Sequence, residues 1–182
     1  MAEQFIGTVK TLWSTNHRDM KLLEPFGYVD PAGKEWIVPA GSFLNGATIP
    51  VAFWSIIGSP YVGAFRRASV VHDYYVGEGA NPDVNAADRK KADKMFFRAC
   101  KFDGCSNREA SVLYMGVRVG TWYAGQFPSK KKSIFKPKVS SMMKSSADIV
   151  LKNKFDRLFF NLEDKLDTIG IDELESKVDA LM

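Results

Sequence analysis

Residues 26–38 read FGYVDPAGKEWIV, and this stretch decides the class of fold. Phe26, Tyr28, Trp36 and Val38 alternate with smaller or polar neighbours, so a period of two places all four on one face of a paired strand. Between the two runs stands Asp30-Pro31-Ala32-Gly33: Pro31 presets φ for a turn and Gly33 accepts φ > 0, which gives the reversal a mechanism. The expectation is a β-hairpin at the heart of a small antiparallel sheet. Gln4 to Lys10 (QFIGTVK) is a short, mixed candidate strand before it. Gly41 to Trp54 (GSFLNGATIPVAFW), with Asn45-Gly46 and Pro50, reads as a structured loop after it.

Beyond that loop the apolar period lengthens. Ser59-Pro60 is a cap followed by proline at a first helical position, and Phe65, Ala68, Ser69, His72, Tyr75 and Val76 then share one side of a helix. His72 is thereby placed inward, and Arg66, Arg67 and Asp73 mostly off that side. A second helix is expected from a cap at Asn85 to about Phe102, stopped by Gly104, with Ala86, Asp93, Phe96, Phe97 and Cys100 on its stripe. Ser106 and Glu109 form a capping-box pattern opening a third, whose stripe of Ala110, Leu113, Tyr114, Val117 and Thr121 ends near Gly125 and Pro128. The whole is an α+β domain over residues 1–127, its sheet covered by three main helices.

Two further segments follow. From Pro128 to Lys144 (PSKKKSIFKPKVSSMMK) there are six lysines and no acid, so residues 128–147 read as a basic linker carried by Lys130, Lys131, Lys132, Lys136 and Lys138. Nucleic acid could neutralise such a run, but with no interleaved aromatics and no reading helix a solvated linker is the plainer expectation. Residues 148–182 form an amphipathic helical tail, with Leu151, Phe155, Leu158, Phe159, Leu162, Leu166 and Ile169 at steps of three and four, a stop at Gly170 and a short restart at Asp172. Each of these side chains is worth roughly 1.5–3 kcal/mol when buried, so the stripe needs a cover. Docking back on the domain, pairing with a second copy, and insertion into a partner would each supply one.

The composition, 46% hydrophobic and 25% charged, excludes a disordered or collagen-like chain. Neither a secretory leader nor an apolar run approaching about 20 residues is seen, so a chain soluble where it is made is expected, synthesised in the host cytoplasm and then associated with the virion. Cys100 and Cys105 could pair, but without a framework of spaced cysteines two buried or half-buried thiols are the expectation. With only His17 and His72, neither in a CxxC-type pair, a zinc site is not expected. His17, in the polar stretch STNHRD (14–19), reads as an exposed loop residue.

Candidate chemistry concentrates in ASVVHDYYV (68–76) and ADKMFFRAC (92–100). His72 and Asp93 are inward polar groups on neighbouring apolar stripes; each is costly to bury alone and satisfied by bonding to the other, with Asp88 the second choice of acid. Such a pair can tie two helices together. It can also act chemically, because a carboxylate on one imidazole nitrogen fixes the tautomer and leaves the other nitrogen free to take a proton from water.

The blocks GSFLNGATIPVAFW, HDYY and ADKMF, in that order, resemble a domain family of unknown function found in bacteriophages and prophages. The resemblance spans about Phe26 to Thr121 and implies a phage origin. The basic linker and the amphipathic tail suit a protein that grips another, and with a phage origin they carry the expectation of a virion or assembly component, made in the host cytoplasm, that docks on phage structural proteins or on itself through the tail helix. The two helix blocks are also similar to secreted and viral phospholipases of the A-two type. That similarity implies His72 as base, Asp73 as a calcium ligand and Asp93 as the orienting acid of a small hydrolase acting on a lipid, cell-wall or nucleotide ester. Val76 stands where those enzymes usually carry a tyrosine that supports the orienting Asp.

Overall fold

The computed structural model describes residues 2–14, 19–44, 63–76, 86–126 and 146–182. Strands β1 (Gln4–Ile6), β4 (Phe26–Val29) and β5 (Glu35–Val38) form one antiparallel sheet in the order β1-β4-β5. A second antiparallel sheet, β2-β3-β6, takes β2 (Thr11–Trp13), β3 (Met20–Leu22) and β6 (Phe43–Leu44). In the β4–β5 hairpin Phe26 faces Val38 and Tyr28 faces Trp36, all four buried, as period-two alternation requires. Gly33 adopts φ +82°, and Asp30 locks the reversal from within. Its Oδ1 accepts the backbone N–H groups of Ala32 (2.9 Å) and Lys34 (3.0 Å), while Oδ2 accepts the Trp36 indole N–H (3.1 Å). Three donors offset the cost of burying that carboxylate.

The helices among the described residues are α1 (Arg66–Val76), α2 (Ala86–Phe102), α3 (Asn107–Gln126), α4 (Ser146–Leu162) and α5 (Ile171–Leu181), with a 3₁₀ turn at Glu163–Lys165. Residues 63–65 are a turn, not the helix that Ser59-Pro60 suggests by this point, because Gly63 holds φ +101°, which an α-helix does not accommodate. Ser59-Pro60 and the Asn85 cap lie outside the described residues, as do the loop from Asn45 onward, His17 and the lysines of the basic linker. α1 carries most of the contact with the strands; α2 packs on α1, α3 on α2, and α4 and α5 on the far side.

The capping box at the start of α3 is formed: Glu109 Oε2 accepts the Ser106 backbone N–H at 2.7 Å, and Ser106 Oγ accepts that of Glu109 at 3.2 Å. Those Ser106 hydrogen bonds hold the Glu109 carboxyl below its ordinary value. A carboxyl depressed on folding stabilises the folded chain above its unfolded pKa, near 4.3, and that contribution is lost as pH falls through the lower folded value. Ser106→Ala is expected to cost about 1 kcal/mol at neutral pH. Denaturant titrations at pH 7 and pH 3 check this, the difference between variant and wild type shrinking at the acid end.

The tail stripe finds its cover inside the chain. Leu151, Phe155, Leu158, Leu162, Leu166 and Ile169 are all buried, and Phe159 is half-buried, with α4 lying along α3. Polar contacts secure it: Asn107 Nδ2 donates to the carbonyls of Leu166 and Ile169, both at 2.9 Å, and Lys154 Nζ donates to those of Leu181 (2.9 Å) and Met182 (2.8 Å). Of the three covers considered for the stripe, docking on the domain is the one observed. A partner using these side chains would first have to lift α4 off α3, so they do not serve as an exposed interaction surface. Tethering explains the outcome, because a helix joined to its own domain meets it at an effective concentration near millimolar.

Candidate functional site

His72 and Asp93, on α1 and α2, meet as their stripes require. Nε2 of His72 lies 2.7 Å from Oδ1 of Asp93, and both residues are 0% exposed. With Asp93 ionised and the imidazole neutral, Nε2 donates the shared proton and Nδ1 is the atom left with a lone pair. Nδ1 is buried and has no hydrogen-bond partner. The Phe96 ring, with its centroid 4.7 Å from that of the imidazole, closes one flank.

The second oxygen of Asp93 is held by a residue that stripe reasoning passed over. Arg118, on α3, places Nη1 3.2 Å from Asp93 Oδ2 and Nη2 2.9 Å from Asp179 Oδ1 on α5. Asp179 in turn pairs with Lys90 of α2. Burial pulls the Arg118 guanidinium down, but the facing Asp93 charge and the Asp179 contact outweigh it and hold its pKa above the ordinary value. For Asp179, burial pushes upward and the hydrogen bonds from Lys90 and Arg118 prevail, so its carboxyl sits below the ordinary range. The chain thus links His72, Asp93, Arg118, Asp179 and Lys90 across α1, α2, α3 and α5. A sequence signal did exist: Arg118 lies four residues after Tyr114 and next to Val117, on the edge of an apolar stripe.

Asp73, expected off the inward side of its helix, is 3% exposed. The correction has a simple cause: α1 is covered on two faces, by α2 and by the strands, so a single apolar stripe understates what is buried. Asp73 lines a cleft of about 230 Å³ between α1 and the β2-β3-β6 sheet, together with Thr11, Trp13, Met20, Leu44 and Ser69. Asp88, the second choice of acid, instead pairs with Lys91 on the surface at 3.2 Å. Among the described residues no three His, Cys, Asp or Glu side chains converge as metal ligands. Cys100 and Cys105 are both unbridged and buried; burial raises the Cys100 thiol, and its hydrogen bond to Cys105 lowers the latter.

Residues 20–117 match DUF1353, a family of proteins of unknown function. The match takes in more than half of the chain, and the chain belongs to that family. Two uncharacterized proteins of Sinorhizobium fredii are similar to it: y4jT, 34% identical over 97 residues, and y4iH, 31% identical over 98 residues. Each alignment covers 53% of this chain but only 27% of y4jT and 38% of y4iH, so the relatives are much longer than the shared part. No solved structure matches the chain. His72, Asp73 and Asp93 fall inside the family match, and Arg118 and Asp179 beyond its end.

Proposed function

We propose that this chain is a small water-activating hydrolase of phage or prophage origin, with His72 as general base and Asp93 as the acid that orients it. One observation carries the reading: a fully buried imidazole is fixed by a carboxylate through Nε2 while its other nitrogen, equally buried, is left unpartnered. Buried polar atoms are nearly always paired, and an orphaned one with a fixed tautomer fits a base awaiting its proton donor. His72 takes a proton from water at Nδ1 and Asp93 stabilises the imidazolium that results; the water oxygen attacks an ester carbonyl or phosphorus, the ester C–O or P–O bond breaks, and the imidazolium returns its proton to the leaving alcohol. The cleft along α1 is lined by Asp73 and not by His72, whose imidazole is closed off in this conformation.

The test is hydrolysis by the purified chain of three ester classes: phosphatidylglycerol vesicles, peptidoglycan acyl esters and bis-nitrophenyl phosphate. Turnover of one class is expected, with His72→Ala slower on the order of a hundredfold or more. No turnover of any class, or equal rates in wild type and variant, would overturn the reading.

The virion or assembly component expected from the linker and tail is the second reading. What favours it is not the tail but one face of the β2-β3-β6 sheet, where Leu12 (61% exposed) and Phe43 (59%) stand open on either side of Lys21, with Leu23 (52%) just past the end of β3. Particles assembled with a Leu12→Asp, Phe43→Asp chain separate the two: loss of incorporation with hydrolysis intact points to docking through this sheet.

A further inference from the structure

We propose that Asp179, on α5, is a positioning residue for the His72–Asp93 pair: by holding one end of Arg118 it confines that guanidinium to one oxygen of Asp93 and leaves the other to His72. The idea deepens the hydrolase reading in its consequence for rate, while the geometry behind it stands independently.

Arg118 is a planar fork, and a fork beside a lone carboxylate binds both oxygens in parallel. Here it does not. Nη1 takes Oδ2 of Asp93 at 3.2 Å, and Nη2 is turned away to Asp179 at the shorter 2.9 Å. Asp179 is itself held by Lys90, so the fork is pulled from outside the core. With Arg118 split in this way, Oδ1 of Asp93 belongs to His72 at 2.7 Å. Removing the charge of Asp179 frees Nη2 to turn inward, where the remaining carboxylate is Asp93 and the oxygen to be gained is the one His72 uses. Among the described residues, the charged and titratable groups that act on Arg118 and its neighbour Tyr114 are Asp93 on α2 and Glu175 and Asp179 on α5. Lys94 is engaged by Asp172 (2.5 Å) and Glu175 (2.9 Å), which leaves Arg118 as the cation in contact with Asp93.

Nitrogen-proton NMR of the imidazoles in the full chain tests this, with His17→Gln simplifying the spectrum to His72 alone. In wild type the expected signature is one tautomer, protonated at Nε2, with that proton far downfield and slow to exchange. Asp179→Asn should abolish the downfield proton or mix the tautomers, and Asp179→Glu should restore it. Lys94→Ala releases a different pair of α5 contacts without touching Arg118, and should leave the spectrum as in wild type. An unchanged spectrum in Asp179→Asn overturns the proposal. So does an equal change in Lys94→Ala, which would mean that any loosening of α5 suffices. If an ester is turned over, Asp179→Asn should lower kcat about tenfold with KM unmoved. If no ester is turned over, the hydrolase reading fails, and the NMR arm still decides the positioning.

Discussion

Arg118→Met is expected to destabilise the chain by about 3–5 kcal/mol, because the substitution removes the guanidinium from the buried Asp93 carboxylate and leaves it the His72 imidazole alone. Methionine replaces the length and most of the apolar stem of arginine, so packing loss is small and the charge is what the experiment reads. Asp179 does not add much to the cost, being about a third exposed and still paired with Lys90. The charge account makes a second, sharper demand. Placing Asp93→Asn in the Arg118→Met background should recover a large part of the loss, since an asparagine still meets the imidazole and carries no charge to strand. Denaturant unfolding of the two single variants and the double variant closes the cycle. Losses that simply add would show that Arg118 acts by packing and that the buried carboxylate does not depend on it.

How far this arrangement is legible in the sequence depends on how local each contact is. The hairpin at 26–38 is readable because turn chemistry and alternation are both nearest-neighbour properties, and even the Asp30 lock uses donors within six residues. The His72–Asp93 contact spans 21 residues, yet each partner betrays itself as a polar interruption of an apolar stripe. Arg118 could have been read the same way from its place beside Val117. Its second partner could not: Asp179 is 61 residues away on the polar edge of a helix, and nothing in either segment names the other. Asp73 escaped because the stripe argument assumes one buried face per helix, and α1 has two. For the tail, periodicity tells that seven side chains need a cover and is silent on which surface provides it.

That silence is what the second large effect resolves. Phe155→Ala is expected to cost about 3–5 kcal/mol, the usual range for truncating a fully buried aromatic ring, and to lower Tm by on the order of 10 °C in a chain of this size. Phe155 is 1% exposed, stacks on Phe159 with centroids 6.3 Å apart, and belongs to the same core as the helices bearing His72 and Asp93. Phe160, its near neighbour on the same helix, is 83% exposed, and Phe160→Ala should change stability by no more than about 0.5 kcal/mol. The pair is informative because composition and helix propensity are matched and only burial differs. Were the stripe instead covered by a second copy, the loss in Phe155→Ala would depend on protein concentration. Were it held for another partner, the isolated chain would melt alike with either substitution. A concentration-independent loss confined to Phe155→Ala makes α4 part of the fold that carries the His72–Asp93 pair, and places any docking surface of this protein elsewhere.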